Sequence, residues 1–202
     1  MSSWTARTAI PVWPGCRPFD AVPVQFSFFL DRGHGEPEHH EWLAGGPDDP
    51  RPALAERLVS ACAGAEAIVA YNAGFERQCV RALAEVVPSL SEPLLRLEAK
   101  LVDLLPVVRN FVYHPAFHGS FSLKSVLPAL VPALTYADLA IADGDTASVH
   151  LERMLLGEKQ GRGTAQLDLF ERHSPLRADL LAYCKRDTWA MVRLLGRLRE
   201  LA

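Results

Sequence analysis

The sequence predicts an α/β fold with a mixed sheet flanked by helices, and three observations predict it. Residues 22–30 are rich in β-branched and aromatic side chains, which is typical of a strand. Residues 67–71 form a short apolar run that favours a buried strand. This run continues through Asn72-Ala73-Gly74 into a helix predicted over residues 75–86. A strand, a tight turn and a helix in this order form the basic unit of α/β proteins.

Other local patterns complete this assignment. Residues 1–21 contain three prolines and are predicted to be irregular. The remaining predicted elements are a strand over residues 39–43, helices over 52–63, 91–110 with a break at Pro106, 120–130 and 143–156, a polar loop over 157–163, and a last helix from Pro175 with Ser174 as its N-cap. No repeat and no second domain is visible, so residues 1–202 are predicted to form one domain.

Composition and charge exclude some classes of function. The 202 residues are 49% hydrophobic, which supports a packed core, and their net charge is −3. This balance argues against a protein that coats nucleic acid through its phosphates. A metal-dependent nuclease is not excluded, because such an enzyme needs a cluster of carboxylates and its bound cations reverse the local field.

The cysteines and the apolar segments indicate a cytoplasmic protein. The four cysteines form no CxxC pair, so they are interpreted as reduced thiols rather than zinc ligands. Residues 1–10 lack the continuous apolar run of a signal peptide. The apolar residues 126–142 are interrupted by Pro128, Pro132 and Asp138, which excludes a membrane span there.

Glu76 is the first candidate for chemistry. It falls in the first turn of the helix that follows the buried strand, a rigid and partly exposed position that suits a metal ligand. Taken alone, however, this pattern is more often that of an ordinary first-turn acid, since such acids interact favourably with the helix dipole.

Tyr183 and Asp187 are the second candidates. They lie four residues apart on the predicted last helix, so they share one face of it. The carboxylate can bind a divalent ion, and the phenol can orient a water that attacks phosphorus. An ordinary tyrosine–aspartate pair on a solvated helix is the alternative, because a YxxxD string alone is common.

Together, and in this order, the strings at residues 72–76 and 183–187 resemble the second and third motifs of the DEDD superfamily of 3′–5′ exonucleases, in its tyrosine-bearing branch. The resemblance implies a ribonuclease H-like fold and removal of nucleotides from the 3′ ends of DNA or RNA with two Mg²⁺ or Mn²⁺ ions. It implies that Glu76, Tyr183 and Asp187 are catalytic and that Glu76 and Asp187 are metal ligands. The second motif of the superfamily usually ends in Asp where this chain has Glu76, but a glutamate can still bind Mg²⁺.

Further strings are similar to an uncharacterised bacterial family in which a DEDD-like domain often follows a RecB-like nuclease domain. They include Ile10-Pro11, residues 23–27, Tyr113-His114-Pro115 and residues 119–124. The similarity extends over roughly residues 9–200, which is nearly the whole chain.

Four more residues are candidates for contacts with nucleic acid. Asn72 could bond the substrate or fix the turn after the strand, and Phe75 could stack on a terminal base or pack in the core. In DEDD relatives an Asp at about the position of Asp103 lies close to the site, although a role as a helix cap explains Asp103 equally well. Lys124 at a helix start could contact a phosphate or be a solvated lysine.

One part of the family pattern is missing. The family places an Asp-x-Glu-Thr string, with the first two metal-binding carboxylates, where this chain has Ser2-Ser3-Trp4-Thr5. The central first strand is therefore predicted to be lacking or replaced, and the domain to be incomplete at its N-terminus. Glu76 and Asp187 alone would hold at most one ion, because two ions about 4 Å apart need several bridging carboxylates.

Three explanations stay open. A missing upstream segment could supply the strand and the acids, or a partner chain could do so, and the domain would then be a metal-dependent 3′–5′ exonuclease. Otherwise the chain is a non-catalytic nucleic-acid-binding or assembly module derived from an exonuclease.

Overall fold

The computed structural model describes residues 1–141, 144–156 and 174–201, and in these ranges the chain is a mixed α/β structure. One antiparallel sheet holds β1 (Ser2–Ala6), β2 (Val22–Leu30) and β3 (Glu38–Leu43), and one parallel pair holds β4 (Ile68–Ala70) and β5 (Leu101–Asp103). The α-helices of the described ranges are α1 (Arg51–Ala61), α2 (Gly74–Val86), α3 (Ser91–Ala99), α4 (Leu105–Phe111), α5 (Leu123–Leu130), α6 (Gly144–Leu156) and α7 (Ser174–Leu201). The same ranges contain the short 3-10 helices Pro88–Leu90 and Pro115–Phe117.

β1 is a strand that the sequence did not predict. It pairs antiparallel with β2, with Ser2 opposite Ser27. The prediction that residues 1–21 are irregular is therefore wrong for Ser2–Ala6. Of the two alternatives for the first strand, lacking or replaced, the presence of β1 excludes the first. The segment has no hydrophobic alternation of its own, and its pairing with β2 makes it a strand, since strand formation depends strongly on neighbours.

β2 is the middle strand of the antiparallel sheet and is buried on both faces. Phe26 packs in a core cluster with side chains of α1, α2 and α3. On the opposite face, Gln25 Nε2 donates to Leu180 O of α7 at 3.5 Å. Ser27 Oγ lies 2.9 Å from Thr188 Oγ1, also on α7. Since alternate side chains of a strand face opposite sides, helices cover both faces of this sheet.

β5 corrects the predicted helical region over residues 91–110. Leu101–Asp103 pairs in parallel with Ile68–Ala70, and it separates α3 from α4. Main-chain hydrogen bonds extend the pairing at both ends, from Ile68 N to Lys100 O and from Leu104 N to Ala70 O, each at 2.9 Å. A three-residue strand between two helices leaves too short a pattern to be read from the sequence.

The other predicted elements are present, with ends that differ by a few residues. The hairpin of β2 and β3, the strand β4 and the helices α1, α2, α5, α6 and α7 are confirmed. Ser122 is the N-cap of α5, and its Oγ accepts a hydrogen bond from Ser125 N at 3.2 Å. The predicted loop over residues 157–163 lies outside the described residues. No helix in the described ranges combines the length and apolarity needed to cross a membrane.

Arg177 fixes the start of α7 to the end of β3. Its two terminal guanidinium nitrogens donate to Ala44 O and Leu43 O, each at 2.8 Å. Leu43 and Ala44 are both buried, so the guanidinium provides hydrogen-bond donors to carbonyl groups that water does not reach.

We expect Arg177→Met to lower the free energy of unfolding by about 2 kcal/mol, because a buried acceptor that loses a charged donor is costly. Arg193→Met is the matched control, since Arg193 is exposed on the same helix, and we expect a change within about 0.5 kcal/mol. Urea unfolding followed by circular dichroism measures both variants. Equal losses of stability would contradict an anchoring role for Arg177.

Candidate functional site

A pocket of about 260 Å³ lies where α2, α5 and α7 meet the start of the chain. Four of the candidate residues from the sequence line it, namely Glu76, Lys124, Tyr183 and Asp187. Because it joins the two acidic motifs, we call it the Glu76–Asp187 pocket. The folding of β1, α2, α5 and α7 around it brings together side chains that are far apart along the chain.

The turn after β4 positions the first acidic motif. Asn72 has a left-handed backbone conformation with φ 63°, which asparagine tolerates better than most residues. The carboxylate of Asp103 accepts hydrogen bonds from Asn72 N at 2.8 Å and from Ala73 N at 2.9 Å. It also accepts one from Leu105 N at 2.9 Å. Asp103 therefore ties the end of β5 to this turn and to the start of α4.

Glu76 is buried in the first turn of α2, with 6% of its surface exposed. Its Oε1 accepts a hydrogen bond from Ser3 N of β1 at 3.2 Å. Burial raises the pKa of Glu76 to about 7, and hydrogen bonds from its own backbone and from Ser3 oppose that rise. Near neutral pH this carboxyl group is thus divided between its protonated and ionised forms.

Asp187 is the second carboxylate of the pocket. Tyr136 Oη donates a hydrogen bond to its Oδ1 at 2.8 Å. Burial raises the pKa of Asp187 to about 6, against the opposing effects of that hydrogen bond and of the Lys124 charge. Burial and the neighbouring Asp187 also raise the pKa of Tyr136, which keeps the phenol in the form that donates.

Aromatic rings and one lysine surround these acids. Trp4 of β1 meets Tyr183 edge-on, with ring centroids 5.4 Å apart. Lys124 Nζ lies 5.5 Å from the centroid of the Tyr183 ring and 5.6 Å from that of Tyr136. These are cation–π distances, so the two phenol rings hold the ammonium group beside Asp187.

Three predicted substrate contacts fall outside the lining of the pocket. Asn72 and Asp103 build the turn described above, and the carboxylate of Asp103 is committed to backbone amides. Phe75 is half-buried next to that turn. Contacts of these three residues with nucleic acid stay a prediction.

Sequence reasoning missed Tyr136 and assigned no role in the site to Ser2 or Tyr71. Ser2 and Tyr71 line the pocket, and Tyr136 is the hydrogen-bond partner of Asp187. Tyr71 immediately precedes the motif at residues 72–76. Tyr136 lies in a segment with no motif, and only the folded chain brings it to α7.

The pocket offers two acidic side chains to a metal ion. Among the described residues there is no group of three or more His, Cys, Asp or Glu side chains that could hold one. Two carboxylates suit a single Mg²⁺, which commonly takes one or two protein carboxylates and completes its shell with waters or phosphates.

The fold and the pocket define the chain as a mixed α/β protein with an acid-containing pocket. A family model described as "Domain of unknown function (DUF2779)" matches residues 5–122, which is more than half of the chain, and the chain belongs to that family. The matched segment contains Glu76 and ends before Tyr183 and Asp187. No curated protein and no solved structure matches the chain.

The raised pKa of Asp187 predicts a stability that falls as pH rises. The unfolded carboxyl group titrates near 3.8 and the folded one at about 6, so between these values the folded state binds more protons and loses stability with increasing pH. Above pH 6 the full cost, up to about 3 kcal/mol, is present. We expect Asp187→Asn to be more stable than the wild type at pH 8 and similar to it near pH 3.

Thermal unfolding in EDTA across this pH range measures the effect. Tyr136→Phe should change the stability at high pH in the opposite direction to Asp187→Asn. Loss of the tyrosine hydrogen bond raises the pKa of Asp187 further, so the variant should be less stable than the wild type at high pH. A pH dependence that is identical in the wild type and in Asp187→Asn would contradict the burial of an ionisable carboxylate at this position.

Proposed function

We propose that this chain is a ribonuclease H-like domain of the 3′–5′ exonuclease type, which hydrolyses nucleic-acid phosphodiesters at the Glu76–Asp187 pocket with a divalent cation. One observation carries the proposal. The three residues to which the exonuclease resemblance assigns catalysis, Glu76, Tyr183 and Asp187, line a single pocket although they come from two distant segments. A chance match of two short strings gives no reason for the strings to meet in the fold.

The position of β1 gives a second support. β1 pairs with β2 on one side. At its start, Met1 N donates to Val69 O of β4 at 2.5 Å, so β1 also meets the edge of the parallel pair. A first strand between these two sheets agrees with the central first strand that the ribonuclease H-like resemblance implies.

The donor set fits one divalent cation. The Glu76 and Asp187 carboxylates line the same pocket, and both would supply oxygen ligands to Mg²⁺ or Mn²⁺. When bound, such an ion supplies charge that stabilises the developing negative charge on a phosphate and acidifies a bound water. The two-ion site implied by the resemblance does not fit, because Ser2 and Trp4 stand where the Asp and the Glu are expected.

The other side chains of the pocket have roles that their chemistry supports. The Lys124 ammonium would bind a non-bridging phosphate oxygen close to Asp187. Tyr183 would orient the attacking water through its phenol group. Tyr136 holds the Asp187 carboxylate in one orientation by donating to it, which is a positioning role.

A second candidate function is a non-catalytic nucleic-acid-binding or assembly module derived from an exonuclease. The identity of Ser2 and Trp4 favours it, because both acids of the first motif are replaced. Trp4 also packs its ring on Tyr183, which gives the phenol a structural use that needs no catalysis. A partner chain or an upstream segment that supplies acids would restore the first candidate, and a stable complex in size-exclusion chromatography would support it.

Degradation of 5′-labelled single-stranded DNA and RNA tests hydrolysis. In Mn²⁺ we expect a ladder of 3′-shortened products that EDTA abolishes. Glu76→Gln and Asp187→Ala should each lower the rate at least about a hundredfold, since even outer-shell partners of metal ligands contribute tenfold to a hundredfold. Glu85→Gln is the matched control, because Glu85 is exposed on the same helix as Glu76. A ladder that survives Asp187→Ala would contradict the site.

Ser2→Asp separates the two candidate functions. Ser2 lines the pocket, so an aspartate there adds a third carboxylate beside Glu76. If the chain is an exonuclease that lacks only this acid, the rate of Mn²⁺-dependent degradation should rise at least about tenfold. Ser3→Asp is the control, because adjacent residues of a strand point to opposite faces. No gain over Ser3→Asp would favour the non-catalytic module.

A further inference from the structure

Two aromatic side chains at and just after the end of α4 are almost entirely exposed. Phe111 at the end of α4 has 82% of its surface exposed, and Tyr113 has 86%. Val112 between them packs inward against the cluster that contains Val108, and its backbone is extended. Its neighbours on either side, Phe111 and Tyr113, face solvent. Large apolar groups that lie together in solvent mark interaction sites more often than single ones do.

This surface adjoins the pocket through Phe121. Tyr71, which lines the pocket, donates a hydrogen bond from its Oη to Phe121 O at 2.6 Å. The guanidinium carbon of Arg109, in the last turn of α4, lies 5.9 Å from the centroid of the Phe121 ring. Residues 122–124, directly after Phe121, belong to the lining of the pocket. A linear ligand held by α4 and its following segment could thus reach the acids.

The charge of this part of the chain is opposite to that of the whole. Residues 104–137 contain Arg109, Lys124, His114 and His118 but no Asp or Glu. The complete chain has 24 acidic residues and a net charge of −3, so a segment of this length without any acid is unusual for it. Arg109 and Lys124 therefore give this segment two positive charges and no negative one, which suits an anionic ligand.

We propose that Arg109, Phe111, Tyr113 and His114 form a platform for single-stranded nucleic acid, with the aromatic rings stacked on bases and the Arg109 guanidinium facing a phosphate. The proposal rests on the proposed function, because it takes the class of ligand at the pocket to be nucleic acid. Exposed rings beside positive charge are how proteins hold single strands without reading sequence. In a duplex the base faces are already stacked, so the platform selects single strands.

The binding of a 5′-fluorescein-labelled single strand of about twelve nucleotides, measured by fluorescence anisotropy in EDTA, tests the platform without cleavage. The full chain is used, with DNA and RNA of mixed sequence. The variant Phe111→Leu with Tyr113→Leu keeps apolar surface but removes both rings, and we expect at least about tenfold weaker binding, since each stacked base contributes on the order of 1–3 kcal/mol. The exchange Phe111→Tyr with Tyr113→Phe should restore the affinity.

Phe19→Leu is the matched control, because Phe19 is 66% exposed on a different segment, and its affinity should equal that of the wild type. Arg109→Gln should weaken binding and make the slope of log affinity against log salt shallower by about 0.7, the value for one lost phosphate contact on a single strand. A duplex of the same sequence should bind at least about tenfold less tightly than the single strand.

The outcomes distinguish the platform from the pocket. Tight binding that the double leucine variant retains overturns the platform and leaves the proposed hydrolysis untouched. If binding requires the two rings but the chain cleaves neither DNA nor RNA, the platform is supported and the proposed hydrolysis is contradicted by the degradation assay. Light scattering that shows a dimer in the wild type and a monomer in the leucine variant would assign the rings to contact between two copies and overturn the proposal.

Discussion

The candidate site depends first on the carboxylate of Asp103, which binds three backbone amides from two different turns. These hydrogen bonds hold Asn72 in a left-handed conformation that costs a residue with a β-carbon about 1 kcal/mol or more. The conformation turns the chain sharply from β4 into α2. Because Glu76 lies in the first turn of that helix, its direction follows from the turn. Asp103 thus acts on the site from a distance, through the main chain.

The other half of the site depends on how α7 lies against the sheet. Thr188 and Leu180 of this helix bond to β2, and these contacts set its rotation. With that rotation fixed, Tyr183 and Asp187 face the pocket. The two halves are held by independent interactions, and the family match spans only the first of them. The two halves therefore meet in one pocket because of the complete fold, and neither half alone determines that they meet.

Local patterns in the sequence predicted much of this architecture, and they failed where a residue's state depends on distant partners. The apolar runs of β2 and β4 and the helix after Asn72 are visible because each carries its own periodicity or turn signal. The segment Ser2–Ala6 carries none, and it is a strand through pairing with β2. Leu101–Asp103 lies between helical patterns and was predicted to be helical, but it is a strand because it pairs in parallel with β4. Within the site, Glu76 and Asp187 were predictable from motifs, whereas Tyr136 was not, because its contact with Asp187 joins positions 51 residues apart.

The energetics of the two buried acids bear on what the pocket is for. Burial raises the pKa of Glu76 to about 7 and that of Asp187 to about 6, so each ionised carboxylate lowers the stability of the fold near neutral pH. Asparagine and glutamine would fill the same space without this cost. A cation held between the carboxylates would offset the cost, as would a phosphate-bound metal brought in by a nucleic acid. At Ser2, such a site differs from the site of a two-ion nuclease. A side chain that is small and uncharged there leaves room in the pocket and withholds the third carboxylate that a second ion would need.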